Sequence, residues 1–197
     1  MGTYNILRQT MVNWEAIPAV ELHHTGWLEQ APVRAWAKLC CDDHAIWVRM
    51  EAEESPVRAT LHDPLDEVYQ DSCLEFFLAP NPKDNRYFNF EFNPLGNVYL
   101  AFGSIRPTRV RQIVASKEEL FCPEPFYTEK GWGITYRIPF SFIQNYFPAF
   151  EPRGEMAGNF YKCGDLTQQP HYLSWMTMHT DTPDFHRRQD FGTLRFE

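Results

Sequence analysis

The 197-residue sequence predicts an all-β fold, an antiparallel β-sandwich of jelly-roll-like plan with one short helix. Three observations lead there. Short runs of alternating polar and apolar residues recur along the whole chain, as expected of strands that bury one face. Only one segment, 139–147, carries apolar residues at helical spacing, through Phe140, Ile143 and Phe147. Aromatic residues make up 16% of the chain, with ten glycines and fifteen prolines, a composition that suits strands and many turns better than a helical bundle.

The elements follow in chain order. Residues 35–41 and 45–52 alternate and are separated by Asp42-Asp43-His44, which reads as a hairpin. In its second strand Ile46, Val48 and Met50 share one face while Trp47 and Arg49 share the other. Residues 53–70 are polar, contain Pro56 and Pro64 and show no helical period, so they form a long excursion from the sheet. Long ordered loops often carry function. Residues 68–97 are the most informative stretch: Leu74, Phe76 and Leu78 alternate with Cys73, Glu75 and Phe77, and Phe88, Phe90 and Phe92 alternate with Tyr87, Asn89 and Glu91. If these strands pair with their apolar rows facing one core, Glu75, Asn89 and Glu91 share a polar sheet surface edged by aromatic rings. Strand-like segments continue at 98–102, 109–115, 132–138, 159–163, 173–178 and 191–196, about ten strands in all.

The length fits one domain, 1–197, able to bury roughly 70% of its unfolded surface without staples. A net charge of −8 argues against nucleic-acid and anionic membrane partners, which rely on clustered Lys and Arg. No run is long and apolar enough to span a bilayer. Cys40, Cys41, Cys73, Cys122 and Cys163 are odd in number and form no Cys-x-x-Cys pair, which suggests free thiols in reducing surroundings. The first fourteen residues lack an apolar h-region, so the expectation is a cytoplasmic protein, or an extracellular or periplasmic one if a leader has been removed.

Catalytic readings are weak. His171, His179 and His186, with Asp181 and Asp184, offer metal-ligand types but no recognised spacing. Glu75 and Glu91 are candidates for the paired carboxylates of a glycosidase, though as cross-strand neighbours on a polar face they suit hydroxyl binding or pairing with Arg49 better. There is no Gly-x-Ser-x-Gly elbow and no phosphate-binding glycine motif. Tyr69 and Phe185 lie in polar surroundings just outside strands, where a ring can stack on the C–H face of a pyranose. Covering ~50 Å² in this way contributes roughly 1 kcal/mol.

Tyr69-Gln70-Asp71-Ser72-Cys73-Leu74-Glu75-Phe76-Phe77 resembles the Gln-Asp-Ser-x-Glu-hydrophobic-Phe block of the family 9 carbohydrate-binding modules. Asp184-Phe185-His186 and Asp190-Phe191-Gly192-Thr193-Leu194-Arg195-Phe196 resemble their closing segment. Trp14 and the 45–52 strand match the opening pattern in order and spacing, so the resemblance covers essentially the whole chain. It implies a β-sandwich that binds sugars without catalysis, often attached to xylanases, with two tryptophans clasping terminal rings; it allows a structural calcium ion and requires no cofactor. The first clasping position falls near Val68 and Tyr69, the second on Phe185. The acidic residue that meets sugar hydroxyls corresponds to Glu75, whereas the ligand-contacting arginine corresponds to Glu91, a reversal of charge.

The resulting expectation is a binder of mono- or oligosaccharides, of the xylo- or gluco- type found in plant polysaccharides, at a cleft between the 53–70 excursion, the central hairpin and the 181–190 loop. Tyr69 and Phe185 stack on the sugar, and Glu75, Glu91, Asn93 and His186 supply hydrogen bonds. The rival readings are a sugar hydrolase, glycosidic or metal-dependent, and an interaction domain docking an unidentified protein on its aromatic edge.

Overall fold

A computed structural model describes residues 2–28 and 33–197. Thirteen strands occur among them: Thr3–Arg8 (β1), Val20–Glu21 (β2), Arg34–Cys41 (β3), Ala45–Glu53 (β4), Cys73–Ala79 (β5), Tyr87–Phe92 (β6), Val98–Gly103 (β7), Val110–Gln112 (β8), Glu124–Thr128 (β9), Gly131–Pro139 (β10), Glu155–Cys163 (β11), Tyr172–Ser174 (β12) and Gly192–Phe196 (β13). Two short helices, Lys117–Leu120 (α1) and Phe140–Gln144 (α2), join them. The helix expected within 139–147 is α2; α1, β1, β2 and β9 are additions to the sequence reading.

The strands run in the order β8-β7-β6-β5-β11-β13-β1-β3-β4-β10-β9, with β12 beside β11 and β2 beside β3. The path folds over at β1. Thr3 to Ile6 pair with β13, and Leu7 and Arg8 then pair with β3, so one strand serves both layers of the sandwich. Both of these ladders are parallel, whereas the others are antiparallel, a departure from the purely antiparallel plan. Tyr4 secures the junction: its hydroxyl donates to the Pro18 carbonyl at 2.7 Å and accepts from the Leu39 N–H at 2.8 Å.

The layers meet over one apolar core. Leu74, Phe76 and Leu78 of β5 and Phe88, Phe90 and Phe92 of β6 face Leu39, Val48, Met50, Ile134 and Tyr136 of the opposite layer, as their alternation requires. Phe142 and Ile143 of α2 plug one end of it. A close approach of β10 to its neighbours needs glycine: a Cβ at Gly133 would lie 2.3 Å from the Phe126 ring and 2.7 Å from the Met50 carbonyl oxygen.

The outer face of β5 and β6 departs from expectation. It is not an open polar surface, because every residue of both strands is buried on either side. Phe77, Tyr87 and Tyr161 on that face pack with Met178 and Phe191 of the C-terminal loop. Val68, Cys73 and Cys163 form a further apolar cluster under the 53–70 excursion. Between these coverings a cleft remains.

Candidate functional site

A rank of four side chains crosses the outer face of the sheet. Tyr99 of β7 is in register with Glu91 of β6, Glu91 with Glu75 of β5, and Glu75 with Tyr161 of β11. Two carboxyl groups therefore sit side by side with an aromatic ring at each end. On one flank Tyr69 meets Tyr99 edge to face, with centroids 6.1 Å apart. On the other, Phe185 stacks on Tyr161 at 4.2 Å and touches Trp27 and Tyr172. Arg106, Arg109, Asp165, Asp184 and His186 complete a cleft of about 280 Å³ whose floor is Glu75, Glu91 and Cys163.

The excursion is held by the sequence motif preceding β5. Asp71, fully buried, accepts from the Thr60 and Leu61 N–H groups at 2.8 and 2.9 Å, from the Thr60 hydroxyl at 2.9 Å and from Asn93 Nδ2 at 3.0 Å. Ser72 donates to Glu54 and accepts from the Arg58 N–H. The Gln70-Asp71-Ser72 block thus anchors the loop that carries Tyr69 to the cleft. Asn93 belongs to the same anchor and not to the cleft. Its Oδ1 accepts from Leu95 and Asn97 N–H, closing the turn in which Gly96 adopts φ +72°, and its Nδ2 donates to the Leu61 carbonyl. Asn93, expected at the site, is fully buried in this anchor and does not line the cleft.

Of the other expected site residues, Tyr69, Glu75, Glu91, Phe185 and His186 all line the cleft. His186 is nevertheless engaged on both nitrogens. Nε2 accepts from Arg109 Nη2 at 3.0 Å, which leaves Nδ1 to carry the proton and donate to the Tyr87 hydroxyl at 3.0 Å. Burial, then the Arg109 and Arg106 charges, lowers its pKa to about 2, so the ring is neutral and stacked on Phe77. Arg109 also donates to Asn89 Oδ1, and Asn89 Nδ2 donates to Glu91 at 2.8 Å. A chain Tyr87–His186–Arg109–Asn89–Glu91 thus fixes one carboxylate of the floor.

Arg109, Arg106, Tyr99 and Trp27 were not singled out from sequence. Arg109-Val110-Arg111 alternates beside Tyr99-Leu100-Ala101, a pattern that puts both arginines on the face of Tyr99, and Arg111 indeed lies over the Tyr99 ring and donates to the Pro64, Leu65 and Asp66 carbonyls. Trp27 has no local signal in the sequence that would place it here. Arg49 pairs with Glu51 on the other sheet and does not approach Glu75.

Glu75 and Glu91 are each 3% exposed. Burial and then the neighbouring Glu91 push the Glu75 pKa well up, while burial, partly offset by Arg109 and the Asn89 hydrogen bond, brings Glu91 to about 7. Cys163 Sγ donates to Glu75 Oε1 at 2.8 Å.

Metal chemistry finds little support among the described residues. The three late histidines do not converge: His171 is buried against Lys162, His179 pairs with Asp190 at the surface, and His186 lies in the cleft. Cys73, Glu75 and Cys163 place one ligand atom each within 4.8 Å of one another. Calcium wants six to eight oxygens, which two thiols and a carboxyl do not supply. The buried carboxylates of Asp71 and Glu54 are filled by protein donors, the latter by Ser72, Trp132 and Lys162. Among the described residues, none of these groups fits a calcium ion.

The chain belongs to carbohydrate-binding family 9, whose model matches residues 3–196. Among solved structures it is similar to a protein of Bacteroides uniformis provisionally described as carbohydrate-binding, at 24% identity and TM-score 0.83, covering 99% of each chain. It also resembles a family 9 carbohydrate-binding module of Caldicellulosiruptor kristjanssonii solved with cellotriose, at 14% identity and TM-score 0.69 over 100% of this chain and 94% of that one. The same organism's module with glucose matches at 15% identity and TM-score 0.67, covering 100% and 96%. No curated protein gives a significant match.

Proposed function

We propose that residues 1–197 act as one non-catalytic binding unit that holds a mono- or oligosaccharide of the gluco- or xylo- type in this cleft. The observation that carries the reading is the adjacent acid pair Glu75–Glu91 on the cleft floor, placed for hydroxyls, with the Tyr69, Tyr99 and Phe185 rings lining the same cleft for the C–H faces of a sugar ring. A volume of about 280 Å³ suits a short saccharide. Family membership and the cellotriose and glucose bound by the Caldicellulosiruptor modules support the same class of ligand. Both carboxyl groups rise from adjacent positions of one floor, Glu91 accepting from Asn89 and Glu75 from Cys163, an arrangement that supports the binding reading. Five free thiols support a reducing compartment.

Phe185 has one ring face on Tyr161, so Tyr69 and Trp27 supply much of the remaining aromatic surface. Calorimetry with xylo- and gluco-oligosaccharides tests the site. Tyr69→Ala with Phe185→Ala is expected to weaken binding at least ~tenfold, since two lost stacking contacts of roughly 1 kcal/mol each exceed one decade. A double variant that binds as tightly as the parent rejects the cleft as the site.

A further inference from the structure

Resting on the carbohydrate reading, the floor of the cleft permits a finer statement about how a hydroxyl is recognised. Glu75 and Glu91 are directly opposed in register, and such pairs have Cβ atoms about 5 Å apart. Two buried carboxylates at that separation repel, and one of them is favoured as the acid. Their surroundings differ. Glu91 accepts from Asn89, which Arg109 holds, and Arg106 and Arg111 lie on the same side. Around Glu75 stand Cys73 along its own strand, Glu91 from β6, Tyr161 and Cys163 from β11, Asp165 from the following loop and Tyr69 from the excursion. None of these is a cation. The one nearby ammonium, Lys162, is engaged by Glu54, His171 and the Cys163 carbonyl.

We propose that the two carboxyl groups share a single proton, with Glu91 ionised and Glu75 protonated, so that the floor presents a hydrogen-bond acceptor beside a donor. A sugar hydroxyl both donates and accepts, and one such group satisfies Glu91 and Glu75 together. A carboxylate on the ligand can only accept, and it meets the Glu91 charge. The raised pKa values of both groups accord with this division.

The test begins without ligand. Carbon-13 titration of the side-chain carboxyl resonances, assigned by their loss in Glu75→Gln and Glu91→Gln, is expected to show Glu75 protonated and Glu91 ionised at pH 8. Glu75 ionised at pH 8 overturns the proposal. Calorimetry with cellotriose as the probe then follows the pH through the Glu75 step that the titration reports; affinity is expected to fall about tenfold as the donor becomes a second anion. Flat affinity across that step also overturns it. A parent that fails to bind cellotriose at any pH counts against the carbohydrate reading, and the carboxyl resonances still decide where the proton lies.

Discussion

The two faces of the β5–β6 hairpin are equally inaccessible and chemically opposite. On the inner face Phe76 and Phe90 pair in register within a continuous apolar core, where only size and shape matter. On the outer face the same strands bury Glu75, Asn89 and Glu91, each with a specific partner. Both are buried, but the covering differs: a packed second sheet on one side, loops with a cleft between them on the other. Burial therefore does not separate structural from functional residues here. The chemistry of what is buried does, because acids and an arginine chain kept in a low-dielectric pocket have polarity to offer a ligand, and phenylalanines do not.

The strongest way to break this comparison is to cut one large ring from each face. Phe90→Ala is expected to cost about 3–5 kcal/mol in urea unfolding while leaving saccharide affinity unchanged. Phe77→Ala falls at the lower end, about 3 kcal/mol, because a loop can settle into the gap, but it removes the ring on which His186 stacks and so weakens sugar binding. Equal effects of the two on affinity would abolish the distinction.

Close in size is the buried ion pair at the end of β11. Lys162 has no exposed surface and lies 3.1 Å from Glu54 Oε2. Lys162→Met is expected to cost about 3–5 kcal/mol, since it strands the Glu54 charge. Adding Glu54→Gln should recover much of that loss, and a double variant no better than the single one shows that the pair stabilises by more than mutual neutralisation.

The smallest effect is on pH dependence. Folded His171, held at about 4 by burial and Lys162, and His186, at about 2, refuse protons that the unfolded chain accepts below the ordinary imidazole value of 6.5. Through the histidines alone stability is thus lost as pH falls from 6.5 toward 4, by up to about 3 kcal/mol for each ring, a loss that the buried glutamates largely offset. Glu75 and Glu91 act in the opposite sense, because their folded forms hold protons that unfolded glutamates release above about 4.5. Glu75→Gln with Glu91→Gln should therefore steepen the acid-side loss in urea titrations; an unchanged slope refutes the assignment of raised pKa values.

Much was legible in the residues themselves. The alternation of Leu74, Phe76 and Leu78 against Phe88, Phe90 and Phe92 determined the hairpin and its core face, since strand side chains have a period of two and a one-residue slip would move every ring to the outer face. It also placed Glu75 and Glu91 together on the outer face, and the Gln70-Asp71-Ser72 block carried the family resemblance. Tyr4 and Ile6 alternate in β1, but nothing local shows that this strand crosses between layers and pairs in parallel.

Tertiary structure alone decided the rest. Asn93 reads as a polar residue beside the acid pair, yet its amide closes a turn and ties down residue 61. Trp27 and Arg109 reach the cleft from segments 48 and 34 residues from Glu75, and no periodicity links positions so separated. Periodicity states which side of a strand a group occupies, because that depends only on neighbouring residues. What covers that side, and hence whether an acid there meets water, an arginine or another acid, depends on loops whose docking is set by the sum of many distant contacts.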